Sequence, residues 1–522
     1  MPGGSANPGA DETAGEARAA ILGERLAVAA IGVLLVIWAG AFAYHFLPFI
    51  QYRYEADPSD GDMLNALMRG LAGKPIYGDW KAGTVTLLYP PLFLGVLGLA
   101  RAIGLDPIVF CRSANLGFFL LSLGLVAVVA SGHAEGRRRV SVPGLLGGIF
   151  MLSAWKQYFW MAPIHPAALL LAISVVTCAI LAFRPAATVP LALCGSIAVL
   201  AKQSGIGLLV AVLVHVAITD RKRLLRFCVV AGVALGLAVA MFELQSQGQF
   251  LRSVFFYPGR IFTGQWASWD KASALAAGFY GGRLWLLPLV ALGLVSAWRT
   301  WLFPLAVVFG VDAVAELYLA RSVAGSPSYL WFHFALACIL AAQGWRWLLA
   351  RAGQKLRPLA RARLLPVLSV LLAFSCLAVD GRDLLRLPRQ DLSRASEISR
   401  RHAQVVASLV TANPDKKWII TRSSLAAVRS GVILDQEYAT FAIAWTHPTL
   451  LDRLAIRQRV AAGEYTFAQL APTGLTFDPL ADIFAACFSL VSHSTLVYMG
   501  RSSPAAILRY DGARPQCQNL RP

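Results

Sequence analysis

Apolar runs of membrane-spanning length recur along this chain from Leu26 to about Asp380, and no water-soluble fold can absorb them. The bilayer interior leaves backbone groups no water to bond, so a crossing segment needs about 20 mostly apolar residues wound as a helix. The runs fall at 26–48, 108–131, 143–161, 164–183, 187–201, 204–219, 227–245, 284–299, 302–320, 330–350 and 364–381. Composition agrees: 57% of residues are hydrophobic and 14% charged, against roughly 25% charged in ordinary globular domains. The expected fold is therefore an all-α polytopic membrane protein of about eleven transmembrane helices.

One further run, 84–105, is interrupted by Tyr89-Pro90-Pro91 and carries Arg101 near its end. The basic loops decide its status. If it does not cross, the loops holding Arg137-Arg138-Arg139, Arg184, Arg221-Lys222-Arg223, Arg299 and Arg351 to Arg363 all fall on one side. The side that collects such loops is cytoplasmic. The run is accordingly read as re-entrant or interfacial, with the N-terminus inside and the C-terminus outside. The net charge of +19 is thereby explained by topology, and no basic stripe interleaved with aromatics points to nucleic acid.

Three regions follow. Residues 1–25 are a small, polar cytoplasmic tail without the basic start and cleavage site of a signal peptide. Residues 26–381 form the membrane module, with a first outer loop at 49–107. From Gly381 charges return, and strand-like runs at Lys417–Thr421, Ser494–Met499 and Ala505–Tyr510 alternate with a helical stretch, Ala395 to Val410. That pattern predicts a small extracytoplasmic α/β domain over 382–522. Six cysteines lie in apolar runs, whereas Cys487 and Cys517 lie in this polar region and can pair outside the cell. No Cys/His set has metal-ligand spacing, which argues against a structural zinc site; no cofactor is required, and the one open alternative is a divalent ion held by Asp60 and Asp62.

The first outer loop is the most informative stretch. Glu55, Asp57, Asp60 and Asp62 crowd into eight residues and lead into a short amphipathic helix. Met63, Leu64, Leu67, Met68 and Leu71 share one face of it, while Asp62, Asn65 and Arg69 share another, and Gly73-Lys74-Pro75 stops it. Such a helix is expected to lie along the membrane surface. One aspartate could simply cap it, but the cluster exceeds what a cap requires.

The order of these features resembles a family. An acidic loop after the first span is followed by Gly73-Lys74-Pro75-Ile76-Tyr77, then Tyr89-Pro90-Pro91-Leu92, then Arg112 and Asn115 on the next span, with Ala201-Lys202-Gln203-Ser204 later. Over roughly residues 26 to 350 this is similar to the GT-C membrane glycosyltransferases, in particular the protein O-mannosyltransferase and lipid A aminoarabinose transferase group. The resemblance implies inverting transfer of a sugar from a polyprenyl-phosphate donor to an acceptor hydroxyl of a glycan, lipid or protein, on the outer face of the inner membrane. It also implies that a first-loop aspartate is the general base; spacing to Gly73 and Tyr77 favours Asp60, with Asp62 close behind. A neutral hydroxyl is a poor nucleophile, so a carboxylate within reach makes chemical sense.

A donor phosphate calls for cations outside, where topology disfavours them. Lys202, Lys156, Arg252, Arg260 and Arg283 fall there. Snorkelling to the interface explains most of them; Lys202, beside Gln203 between two short spans, is better placed to hold a phosphate. Lys202, Gln203, Arg260 and Lys156 are taken as the phosphate-binding set, and Asp57, Tyr89, His165, Tyr257 and His333 as the substrate cavity. His165 stands where relatives often carry an aspartate. Asp312 and Glu316, one turn apart inside a span, suggest either proton coupling or, the preferred reading, pairing with Arg321 or another outer cation. The competing functions are a flippase of lipid-linked saccharide and a non-catalytic protein that keeps the fold. Against the flippase, the sequence has neither an inverted repeat nor a matched pair of interrupted helices.

Overall fold

Each long apolar run becomes a helix because only a helix satisfies its own backbone in hydrocarbon. A computed structural model gives the architecture and describes residues 8–518 apart from 55, 57, 86, 133–139, 264–267, 299, 322–325, 355–357, 381–383, 385–391, 421–423, 436–450, 471–479 and 499–500. Helices occupy all the expected runs: Pro8–Gln51, Pro107–Ser131, Val142–Ser153, Ala167–Phe183, Thr188–Ala201, Gly205–Thr219, Arg221–Gln245, Leu286–Ala297, Phe303–Ala320, Trp331–Gly353 and Pro358–Asp380. Among the described residues five helices are long and apolar enough to cross a membrane individually, or six if the bent pair Trp269–Arg283 and Leu286–Ala297 counts as one crossing. The chain is thus a multi-pass membrane protein. The first helix reaches further back than expected, to Pro8, because the Ala-, Glu- and Arg-rich stretch before the apolar run is composed of strong helix formers.

The doubtful run resolves into a loop and the helix Leu92–Ala102. Its 11 residues rise about 16 Å, roughly half the hydrocarbon thickness, which makes it one of the shorter apolar helices of the module. Within the membrane module small residues let helices touch backbone to backbone, as is usual where lipid removes the hydrophobic drive for association. A Cβ on Gly293 would lie 2.0 Å from the Leu340 carbonyl oxygen, and one on Gly344 would lie 1.9 Å from that of Leu289. These two glycines set the contact between Leu286–Ala297 and Trp331–Gly353.

The C-terminal segment forms a four-stranded sheet, β1 (Trp418–Ile420), β2 (Phe467–Leu470), β3 (Phe488–Tyr498) and β4 (Arg501–Tyr510), in the order β1-β2-β4-β3. β1 and β2 are parallel, with Trp418 opposite Phe467. β4 runs antiparallel to both neighbours, with Ala468 opposite Leu508 and Tyr498 opposite Arg501. Strand alternation sends successive side chains to opposite faces, and here both faces are covered. Trp418, Phe467 and Ile507 join Val406 and Val410 of the helix Ser393–Ala412 and also Met63, Leu67, Tyr77 and Leu87 of the first loop. Ile419 and Ala468 join Phe484 and Cys487, together with Trp80 and Val85. The first loop therefore contributes to the apolar layer on each side of the sheet.

Polar contacts reinforce the seam. Arg459 donates to the carbonyl of Ala82 and grips Glu464, which Lys417 also holds at 2.7 Å. The Arg459 hydrogen bond, chiefly, pulls the Glu464 carboxyl down to about 2. Its contribution is fully present above the ordinary glutamate range and is lost as pH falls toward that value.

Cys487 and Cys517 are disulfide-bonded, and the other six cysteines are free thiols. Alkylation of the denatured protein should therefore label six cysteines without reductant and eight with it. Labelling of eight in the unreduced protein would refute the pairing.

Candidate active site

The helix Pro58–Leu71 forms where the sequence places it and ends as expected, with Gly73 at a φ of 68° in the left-handed region that glycine adopts readily. Its setting differs from the expectation. Met63, Leu64 and Leu67 are buried, but so are Asn65 and Arg69 of the polar face. Asn65 exchanges two hydrogen bonds with the backbone of Leu434, at 3.1 and 2.9 Å. Arg69 donates to the Leu434 carbonyl at 2.8 Å and pairs with Asp435 at 3.1 Å. The face read as facing water is a docking face for the C-terminal segment.

Asp60 lies in the first turn of this helix. Its carboxylate, with no exposed surface, pairs with the equally buried Arg112 at 2.6 Å. It also accepts from the backbone N–H of Ala56 at 2.7 Å and of Ile164 at 2.6 Å. Arg112 in turn donates to the carbonyls of Phe49, Tyr52 and Tyr54. One ion pair thus ties the end of the first helix, the first loop, the helix Pro107–Ser131 and the turn before His165. Asn115, one turn along from Arg112, holds the same turn through the carbonyls of Met161 and Pro163. Asp62, half-buried, accepts from Ser424 at 3.2 Å. Asp57 lies outside the described residues.

A second group gathers beside that turn. Tyr89 and His165 share a hydrogen bond of 2.9 Å between the phenol and Nε2. Lys202 sits in the break between Thr188–Ala201 and Gly205–Thr219, close enough to His165 to act on it electrostatically. It is 2% exposed, donates from Nζ to Ser328 at 3.0 Å, and lies 4.3 Å from the centroid of the Tyr329 ring. Gln203 pins the break in place by donating to the carbonyls of Leu88 and Val254. A buried ammonium ringed by hydroxyls and an aromatic face is a ready receptor for a compact oxyanion.

The remaining expected residues are elsewhere. Tyr257 packs on Trp80, with ring centroids 4.6 Å apart, and burial pushes its phenol up. Arg260 is exposed, and exposed Lys156 has its ammonium 5.6 Å from the Trp155 ring. Arg283 is spent inside the protein, on Ser153 and the carbonyl of Phe279. His333 pairs with Asp312, not with the Lys202 group. Among the described residues no three His, Cys, Asp or Glu side chains are placed to hold a metal. Sequence reasoning missed Ser328 and Tyr329, which follow Pro327 in a polar stretch before an apolar helix. It quoted Arg112 without its role; a lone arginine on an apolar helix was the signal.

No family model matches the chain, and no curated protein matches it by sequence. Among solved structures it is similar to ArnT from Cupriavidus metallidurans. The form bound to undecaprenyl phosphate aligns with a TM-score of 0.54 at 15% identity, over 91% of this chain and 97% of that one. The apo form gives 0.56 at 14% identity, over 95% and 99%. The likeness runs through membrane module and C-terminal segment alike. The chain has the GT-C fold.

Breaking the Asp60–Arg112 pair from either side leaves a buried charge alone, which costs about 3–5 kcal/mol. Asp60→Ala and Arg112→Ala should each lower the melting temperature of the purified protein, and the double variant should lose much less than their sum. Additive losses would show that the two groups act independently.

Proposed function

We propose that this protein is a membrane glycosyltransferase that moves a sugar from a polyprenyl phosphate to an acceptor hydroxyl on the extracytoplasmic face, with inversion. The observation that carries this reading is Lys202, a buried cation facing Ser328 and Tyr329, in a fold shared with a protein captured with undecaprenyl phosphate. The proposed topology is the one the basic loops favour: eleven spans over 26–381, N-terminus in the cytoplasm, and an outer α/β domain over 382–522. The Cys487–Cys517 disulfide supports an oxidising compartment for that domain.

In the proposed reaction the acceptor oxygen bonds to the anomeric carbon as the bond from that carbon to the phosphate oxygen breaks. The phosphate leaves with the electron pair, and Lys202 offsets the charge that develops on it. Gln203 fixes the break that presents Lys202, and Tyr89 and His165 line the approach. The acceptor's proton passes to a first-loop carboxylate, Asp60 or Asp62. Asp62 has accessible surface to offer an acceptor as the loop stands; Asp60 becomes available when Arg112 exchanges it for another partner. Arg260, Lys156 and Tyr257 are assigned to the outer approach of the substrates.

The test is transfer from radiolabelled polyprenyl-phosphate sugars by protein in liposomes. Lys202→Ala should weaken donor binding and slow transfer together, by about a hundredfold or more, as for the loss of one oxyanion donor. Asp62→Asn should abolish transfer with donor binding nearly unchanged and the melting temperature intact. If Asp62→Asn keeps activity and Asp60→Asn does not, the base is Asp60. Retention of transfer by all three variants would sink the assignment, and movement of intact lipid between leaflets without transfer would identify a flippase.

A further inference from the structure

Two acids in the membrane module have no part in the reaction above. Asp312 and Glu316 lie one turn apart on one face of the helix Phe303–Ala320, and both are buried. Carboxylates at such depth are costly and face a partner or a cavity. Of the outer cations expected to pair with them, Arg321 is turned away: its guanidinium sits over the rings of Tyr318 and Trp269, at 4.3 and 5.4 Å. Both oxygens of Asp312 and Oε2 of Glu316 accept no hydrogen bond among the described residues.

The groups that face them come from every side. Nδ1 of His333, on Trp331–Gly353, is 3.5 Å from Oδ2 of Asp312, and the imidazole stacks on Phe309 at 4.4 Å. Cys178 of Ala167–Phe183 and Tyr280 of Trp269–Tyr280 are the other titratable groups within electrostatic reach of Asp312. Lys202 is within electrostatic reach of Glu316. The cluster therefore sets two acids and one imidazole behind a single fixed cation, the one assigned to the donor phosphate.

Charge conservation in a low-dielectric interior then has a consequence. Before the phosphate arrives, Lys202 is the counter-charge of Glu316, and His333 is the partner of Asp312. A phosphate that takes Lys202 for itself leaves an acid uncompensated, and a lone buried charge is expensive. A proton is the smallest species that restores neutrality. We propose that Asp312, Glu316 and His333 form a proton-binding site coupled to Lys202, so that polyprenyl phosphate binds there with uptake of one proton and leaves with its release. This rests on the phosphate role of Lys202 given above. The liganded protein holds more protons than the free protein, so affinity falls as pH rises, by up to about tenfold per pH unit.

The experiment is calorimetric titration of undecaprenyl phosphate into the detergent-solubilised full chain at pH 8, in two buffers of different ionisation enthalpy. At that pH the phosphate monoester itself is already fully ionised, its second pKa being about 6. Wild type should take up close to one proton per lipid bound, and affinity should fall between pH 7.5 and 8.5. The double variant Asp312→Asn, Glu316→Gln should bind with little uptake and little pH dependence; the two single variants, checked by gel filtration, stand in if it does not fold. Binding by wild type without uptake overturns the proposal and needs no variant. Undiminished uptake in variants that fold also overturns it, placing the proton on Lys202. Absence of any binding by wild type removes the phosphate site itself, a different failure from binding without protons.

Discussion

The Asp60–Arg112 ion pair is the interaction on which the arrangement of this protein depends. It lies where four segments meet, and it satisfies backbone donors and acceptors from three of them. A salt bridge so deeply buried gains little net stability, since desolvation of two charges offsets most of their attraction. What it supplies is geometry. The two charges bond to one another and to backbone groups of the surrounding segments, so the loop, the helix behind it and the His165 turn are fixed relative to one another. His165 and Tyr89 inherit their positions from that junction, and the Lys202 break is set against them through Gln203.

Much of the fold was legible because hydrocarbon imposes a simple rule on sequence. Each apolar run had to be a helix, and the interruption at Tyr89-Pro90-Pro91 had to mark a segment that does not cross. The strands at Trp418–Ile420 and at the C-terminal end were legible as apolar, β-branched runs, whereas Phe467–Leu470, too short to show an alternation, was not read as a strand. The short helix after Asp60 was legible from periodicity and from Gly73.

The polar partnerships were not legible. Asp60 and Arg112 are 52 residues apart, and Lys202 and Ser328 are 126 apart. No periodicity or local spacing records such pairings. The amphipathic helix misled for the same reason: a polar face that meets water and a polar face that meets Leu434 and Asp435 are written with the same residues. Arg321 offered a plausible partner for Asp312 by proximity in sequence, but at the end of its helix a cation finds aromatic faces at the interface more easily than an acid deep inside. Charge location could be read from the chain, and charge pairing only from the fold.

The docking of Asn65 and Arg69 onto Leu434 and Asp435 spans 369 and 366 residues. Long separations of this kind are closed late, after the entropy of the intervening loop has been spent. During synthesis the first loop therefore emerges and crosses long before its lid exists, with a polar face and a buried-type apolar layer both unpartnered. The apolar layers that the first loop shares with the sheet can be completed only when the later strands have been delivered to it. A chain stalled before these segments would have its membrane helices in place and the apolar layer of its first loop uncovered. Closure is thus built into the connectivity: a segment made later covers the segment made earlier.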